Sequence, residues 1–275
     1  MALIIPEVYA EIVRQKFEGK VKVANLAVAL GELSNTTVGG EISFPKFKNI
    51  SDCSEVIKGT ASDISSLDQT ESKAKIKMVD KIVRVFEMDN LTALGNQVEE
   101  ASSQTAVVIA RKLNLDLITE ALTSPLKIAT VSATAITALE LNSALAMFQD
   151  EQDVEDMAGI VINSLLTASF YNMPEFVSNR TDTVAGNGIV TGGCIGYWRG
   201  VPIFLAKHGT YDKAKAECIT LVIKKNALAY MKKRAINIVE ELEPKLHSSC
   251  VIGDYIYACK LIADDGVVVV RKTIV

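Results

Sequence analysis

The chain has 275 residues, enough for one large domain or two small ones. Hydrophobic residues make up 49% and charged residues 23%, which excludes overall disorder. A net charge of -4 argues against a free-standing nucleic-acid binder with a basic footprint, though not against the lining of a container for nucleic acid, and aromatics at 6% leave little for base-stacking platforms.

Residues 1–5 are apolar, but Pro6 and Glu7 close the run, too short for the core of an export signal. No stretch reaches the roughly 18 apolar residues of a membrane span. Residues 6–17 read as a short amphipathic helix with Val8, Ile12 and Val13 on one face and Pro6 in its first turn. Residues 21–33 are small and apolar. Ile42, Phe44 and Phe47 then alternate as a strand around Pro45, and the proline places that strand at an edge. Residues 48–72 are polar and carry neither a helical stripe nor a strand. A loop this long inside a compact domain is a functional segment, a disordered one or an interaction arm, and contact with a neighbouring chain, or disorder in an isolated subunit, is the expectation here.

Ala74, Ile76 and Met78 alternate with Lys73, Lys75 and Lys77, giving one apolar and one cationic face. Residues 82–88 continue as a strand. The pieces between about Gly39 and Met88 predict a hairpin-like two-stranded arm. Such an arm is marginal alone in water, so it must pack on something, another chain included. The longest predicted helix covers 89–125, capped by Asp89 or Asn90 and ended by Ser124-Pro125. Its stripe runs through Leu91, Leu94, Val98, Ala101, Thr105, Val108, Ile109, Leu113, Leu117 and Ala121. Some thirty residues at about 1.5 Å each make a rod of roughly 45–50 Å, a spine more than an element of a compact enzyme.

The remainder is mixed α and β. Residues 134–150 read as a helix with Ile136, Leu139, Leu145 and Phe148 on one side. Residues 159–162 read as a short strand, 165–171 as a helix and 178–200 as a loop rich in Gly, Thr and Asn. Residues 201–206 and 219–224 are buried strands and 235–242 is another. The last two strands, 249–260 and 267–275, are joined by a turn at Asp264-Asp265-Gly266.

Chemistry is sparse. Five cysteines (Cys53, Cys194, Cys218, Cys250 and Cys259) form no C-x-x-C pair, which speaks against a zinc site or disulfide framework and for a reducing compartment. His208 and His247 are the only histidines, which removes most His-dependent catalysis and most transition-metal sites. The acidic clusters (Glu99-Glu100, residues 150–156, 240–243 and Asp264-Asp265) have neither converging carboxylates nor EF-hand spacing and read as solvated or interface charge. The glycines from Gly186 to Gly200 lack the strand–turn–helix context of a dinucleotide loop, and no Walker or nucleophile-elbow motif occurs. No catalytic, cofactor-binding or metal-binding residue is expected. Lys73, Lys75 and Lys77 could face phosphate, but a solvated strand face or a contact to a neighbour's acidic surface is the reading.

The order of these pieces carries a resemblance. A PEVYA helix (residues 6–10) precedes a G-x-I-x-F-P strand (40–45), a long loop, a returning strand and a spine helix ending near Pro125. Later, Gly196 and the run Gly200-Val201-Pro202-Ile203 precede residues 229–241, which contain Tyr230 and Glu240. In this order over nearly the whole chain, the sequence resembles the major capsid proteins of tailed bacteriophages, with the Hong Kong 97 type capsid fold.

The resemblance implies an α+β fold: an N-terminal arm at 1–38, an extended β-hairpin loop at 39–88 and a peripheral domain with a long spine helix at 89–125. An axial domain follows at 126–225, and 226–275 supply the return strands of the peripheral domain and a C-terminal strand. In such proteins the extended loop lies over a neighbouring subunit. Lys58, Asp63, Asp68, Lys73, Lys75 and Lys77 are accordingly the candidate interface residues. The resemblance further implies a homo-oligomer of pentamers and hexamers in an icosahedral shell enclosing DNA without sequence-specific binding. Portal and scaffold proteins would be separate, no membrane would be involved, and the place would be the virion, with the bacterial host cytoplasm before and during assembly. Many relatives carry an N-terminal scaffolding segment removed in maturation; here the PEVYA helix begins at residue 6, so a separate scaffold or a mature chain is expected. Some relatives lock their shells with Lys–Asn isopeptide bonds, for which Lys46, Lys48, Lys58, Asn226 and Asn237 supply atoms. Competing readings are an encapsulin-like shell protein, a phage tail or adaptor component, and a cytosolic α/β enzyme whose long loop is an active-site lid.

Overall fold

The computed structural model describes residues 17, 20–32, 40–47, 53, 55, 58–59, 64, 66–92, 96–178 and 193–274. The predicted helix at 6–17 lies outside these apart from Phe17, and so does Leu94. In chain order the strands and helices begin with β1 (Val28–Glu32), β2 (Glu41–Phe47), β3 (Gln69–Lys75) and β4 (Lys77–Phe86). Two helices follow, α1 (Glu87–Thr92) and α2 (Gln97–Ala121), then β5 (Lys127–Ala129), α3 (Ala138–Ala146), β6 (Met157–Ile162), α4 (Thr167–Tyr171) and β7 (Phe176–Ser178). The chain continues through β8 (Cys194–Trp198), β9 (Val201–Leu205), β10 (Tyr211–Asp212), β11 (Glu217–Cys218) and β12 (Thr220–Lys224). It ends with β13 (Leu228–Glu243), β14 (Ser248–Leu261) and β15 (Val267–Arg271).

Two sheets organise the molecule. One has the order β1-β13-β14-β4, the other β5-β15-β12-β6-β9-β8-β7. The helix α2 lies on both. Its buried Ile109, Leu113 and Leu117 meet Tyr255 and Tyr257 of β14 and also Leu221, Ile223, Val267 and Val269. The opposite face of the seven-stranded sheet presents Val222, Val268 and Val270 to Leu141 and Ala144 of α3. Strands covered on both faces need apolar residues at every position. That is why β12 and β15 read as unbroken runs, Leu-Val-Ile and Val-Val-Val-Val, instead of alternating.

The structure corrects the sequence reading in several places, among them the stretch 48–72 read as carrying no strand, inside which β3 begins at Gln69. The single helix of 89–125 is two: α2 starts at Gln97, where Asn96 in extended backbone accepts a hydrogen bond from the Glu99 amide. Gly95 just upstream is a poor helix former, and α1 buries nothing, leaving Leu91 85% exposed. Met78 leaves the apolar face it was expected to share with Ala74 and Ile76. Beyond Ile76 the chain joins β14, turning Val79, Val83 and Val85 toward the interior and Met78 outward. In α3, shorter than the predicted 134–150, Leu139 is exposed while Leu141 fills the core.

The loop expected at 178–200 contains the end of β7 and all of β8. Gly196 stands in a strand because the backbone of Val177 in β7 passes so close that a Cβ would collide with it. Arg199 and Gly200 close the β8–β9 hairpin, both at positive φ, as a two-residue type I′ turn requires. Finally, the turn at 264–266 joins no hairpin: β14 belongs to the four-stranded sheet and β15 to the seven-stranded one, between β5 and β12.

Candidate functional site

The paired arm consists of β2 and β3, from Glu41 opposite Lys75 to Phe47 opposite Gln69. Alternation gives it two faces. Phe44 and Ala74, with Ile76 just beyond, bury against Ala229, Ile256 and Ala258, which seats the arm's root on the four-stranded sheet. The other face carries Lys73 opposite Ser43 and Lys75 opposite Glu41, both lysines exposed. The Lys46 ammonium contacts the Asp264 carboxylate, a second tie at the root. Beyond the paired stretch Lys58, Leu67 and Asp68 are exposed and Ile64 is 99% exposed, so nothing in the subunit covers them. Asp63 lies outside the described residues.

Lys77 is placed differently from the other candidate interface residues. It begins β4, and its ammonium lies 3.5 Å from the Asp116 carboxylate of α2. Asp116 is only 6% exposed at its side chain and also receives bonds from Lys112 (2.8 Å) and the Tyr257 hydroxyl (2.6 Å). Burial alone would raise its pKa; the bonds from Lys112 and Tyr257 and the charge of Lys77 outweigh that and hold it below the usual carboxylate range. Lys77 therefore helps neutralise a carboxylate inside its own subunit, while Lys73 and Lys75 remain outward.

Two further clusters bind elements of one chain together. Arg271 at the end of β15 donates to Glu217 of β11 and to Asp212 of β10 (2.8 Å), and the Thr273 amide donates to Glu217 (2.9 Å). Desolvation pushes Glu217 up, but Arg271 and Thr273 more than offset it and its pKa ends lowered. Asp254 of β14, buried, is met by Arg234 and by the Asn237 amide (3.2 Å). Sequence reasoning missed these groups. Asp116 and Tyr257 are 141 positions apart and Arg271 and Glu217 are 54 apart, so no local spacing links them.

Two buried thiols are shifted away from reactivity. Burial pushes the Cys259 thiol up to about 12 and also raises Cys218. Among the described residues no three His, Cys, Asp or Glu side chains converge to hold a metal ion, and no helix is long and apolar enough to cross a membrane. The outer face of the four-stranded sheet carries an apolar row, Ile82 beside Ile252 beside Val239, with Met78 and Phe86 on the same face of β4. What the geometry offers is surface for association: an uncovered arm tip and an uncovered sheet face.

The comparison with solved structures speaks to the fold. The capsid structure of the cyanophage P-SCSP1u aligns with a TM-score of 0.63 at 16% identity, over 90% of this chain and 87% of that one. The chain has the fold of phage capsid proteins. The capsid of the native GTA particle aligns with a TM-score of 0.65 at 8% identity, over 93% of this chain and 91% of that one. A chain of Microbacterium phage Oxtober96 aligns at 0.62 and 13% identity, over 90% of each. No protein-family model matches the sequence, and neither does any curated protein. The likeness of fold thus stands at 8–16% sequence identity. The cyanophage and GTA neighbours are capsid chains, not enzymes.

Proposed function

We propose that this chain is a major capsid protein. Its copies assemble through pentamers and hexamers into a closed icosahedral shell that encloses phage DNA, and it has no catalytic role. The observation that carries the reading is the likeness to phage and GTA capsid structures over nine-tenths of this chain at TM-scores of 0.62–0.65. The arm supports it independently: a root buried by Phe44 and Ile76 and a tip with Ile64 uncovered fit a segment completed by a neighbouring subunit. In this reading residues 1–38 form the N-terminal arm, 39–88 the extended loop, 89–125 and 226–275 the peripheral domain, and 126–225 the axial domain. Lys58, Asp63, Asp68, Lys73 and Lys75 face a neighbouring copy, and Lys77, half-exposed beside Asp116, borders the same contact. Scaffold and portal are separate proteins, the DNA is enclosed without sequence-specific contacts, and the place is the virion after assembly in the host cytoplasm.

Negative-stain microscopy of the purified full-length chain, alone and co-expressed with its genomic neighbours, tests this. Capsomers or closed shells are the expected images. A small, discrete oligomer under every condition would overturn the reading and restore the enzyme with a lid. Open tubes or rings would point to a tail or adaptor component.

A further inference from the structure

One concave site away from the arm collects charge of a single sign. Residues 20–22, the middle of α2 and the segment after β9 converge on a cleft of about 260 Å³ whose polar lining is Lys20, Lys22, Arg111, Asn114, Lys207 and His208. The chain as a whole carries a net charge of -4, yet no carboxylate lines this cleft. Among the described residues, none of Lys20, Lys22, Arg111 and Lys207 has an ion pair.

The site is held together by bonds that leave its charge intact. Asn114, buried on α2, accepts from the amides of Val23 (3.1 Å) and Ala24 (3.4 Å) and donates to the Lys20 carbonyl (3.2 Å). That fixes the turn bearing Lys20 and Lys22 beside Arg111. The Lys22 ammonium donates to the Leu205 carbonyl (3.1 Å), so it is also tied to the strand leading into Lys207. Gly193 lies against the Lys22 stem so closely that a Cβ there would collide with it. Burial, and then the charge of Lys20, lowers the Lys22 pKa, the mark of a cation without a counter-charge.

We propose that this cleft is a phosphate-binding site, taking a phosphate group carried on a polynucleotide backbone or free as inorganic phosphate. Four cations from three separate segments suit a ligand of multiple charge, and Arg and Lys together are the side chains that bind phosphate oxygens. One neighbouring carboxylate would leave most of that charge unpaired. The choice of DNA as the natural source rests on the shell reading; the affinity of the cleft for phosphate does not.

The test uses the full-length, unassembled chain with two probes, a short fluorescein-labelled DNA duplex and sodium phosphate. The double variant Arg111→Gln/Lys207→Gln removes two exposed cations and should fold and melt as the wild type does. It should weaken DNA binding at least about tenfold and flatten the logarithmic salt dependence by about 2, since each lost phosphate contact removes roughly 0.9. The control, Lys213→Gln/Lys215→Gln in the β10–β11 turn, should change affinity less than about twofold, because those lysines lie outside the cleft. If the double variant melts early, Lys207→Gln alone makes the same comparison. Loss of DNA binding confined to the cleft variant supports a polynucleotide source. A phosphate-dependent rise in melting temperature seen in the wild type and not in the cleft variant, without DNA binding, supports free phosphate. Cleft and control variants responding alike to both probes would overturn the proposal. So would a cleft variant that responds normally to both probes and fails to form shells, because the cleft would then serve a protein contact. Small oligomers that still bind phosphate would sink the shell reading and leave the cleft standing.

Discussion

Asp116 shows how one side chain can matter more to the subunit than any charge on the arm. Its carboxylate is buried and holds Lys112, Lys77 and Tyr257 at once, so α2, β4 and β14 meet in a single ionic contact. Because its folded pKa is lowered, its stabilising contribution is complete above the ordinary carboxylate value of 3.8 and is lost as pH falls through the lower folded value. We predict that Asp116→Asn lowers the melting temperature at neutral pH and flattens its further decline below about pH 4, where the wild type goes on losing stability. A variant whose melting temperature falls with acid as steeply as the wild type's would show that other carboxylates set the acid limb. Leu113, 1% exposed on the same helix, tests packing instead of charge. Leu113→Ala should cost about 2–5 kcal/mol, a fall of roughly 5–15 °C in the melting temperature of the isolated subunit. Lost assembly with an unchanged melting curve would mean that this stripe faces a partner and not the subunit's own sheets.

In the shell reading, the arm is the element in which folding and assembly separate. Residues 41–47 and 69–75 are paired and seated on Ala229, Ile256 and Ala258, whereas the positions described between them are exposed. Replacing residues 51–67 by a short Gly-Ser linker keeps every β2–β3 pair, so the subunit's melting temperature should stay within about 2 °C of the wild type's, since nothing described in the tip touches the core. Shell formation, followed by sedimentation, should be abolished. Normal shells from this deletion would remove the arm tip from the interface. The arm was legible only in part: its root obeys a period of two, but its second strand starts at Gln69, inside the stretch read as a loop, and residues 77–86 leave it for the four-stranded sheet. The buried runs of β12 and β15 were plain, although nothing in Val-Val-Val-Val tells that one strand serves two cores. The start of α2 was misplaced because Asp89 and Asn90 are as good a cap chemically as Asn96; Gly95 was the overlooked signal. β8 was missed because a glycine needed for close approach to Val177 looks, in sequence, like a glycine of a loop. The candidate site fared less evenly. Lys73 and Lys75 lie outward as their alternation implied, while the partner of Lys77 sits 39 positions away on a helix, beyond the reach of any local pattern.

At the scale of the whole particle the question is what holds copies together. A covalent lock would need a lysine Nζ to attack an asparagine Cγ, with ammonia leaving, and that requires a desolvated, deprotonated amine. Neither described candidate lysine near the arm is buried: Lys58 is exposed, and the partly exposed Lys46 contacts the Asp264 carboxylate. On the acceptor side Asn237 already donates its amide to Asp254, and Asn226, at a φ of 61°, belongs to the turn before β13. Cohesion should therefore come from many repeated weak contacts, among them the uncovered arm tip and the Val239–Ile252–Ile82 row, each modest alone and jointly strong in a symmetric assembly. Assembled particles boiled in detergent and reductant should run as a single band near 29.7 kDa. A ladder of higher bands that survives boiling would refute non-covalent cohesion. Mass spectrometry of those bands would then show which lysine lost its charge, and a cross-link at Lys46 would mean that its contact with Asp264 opens during assembly.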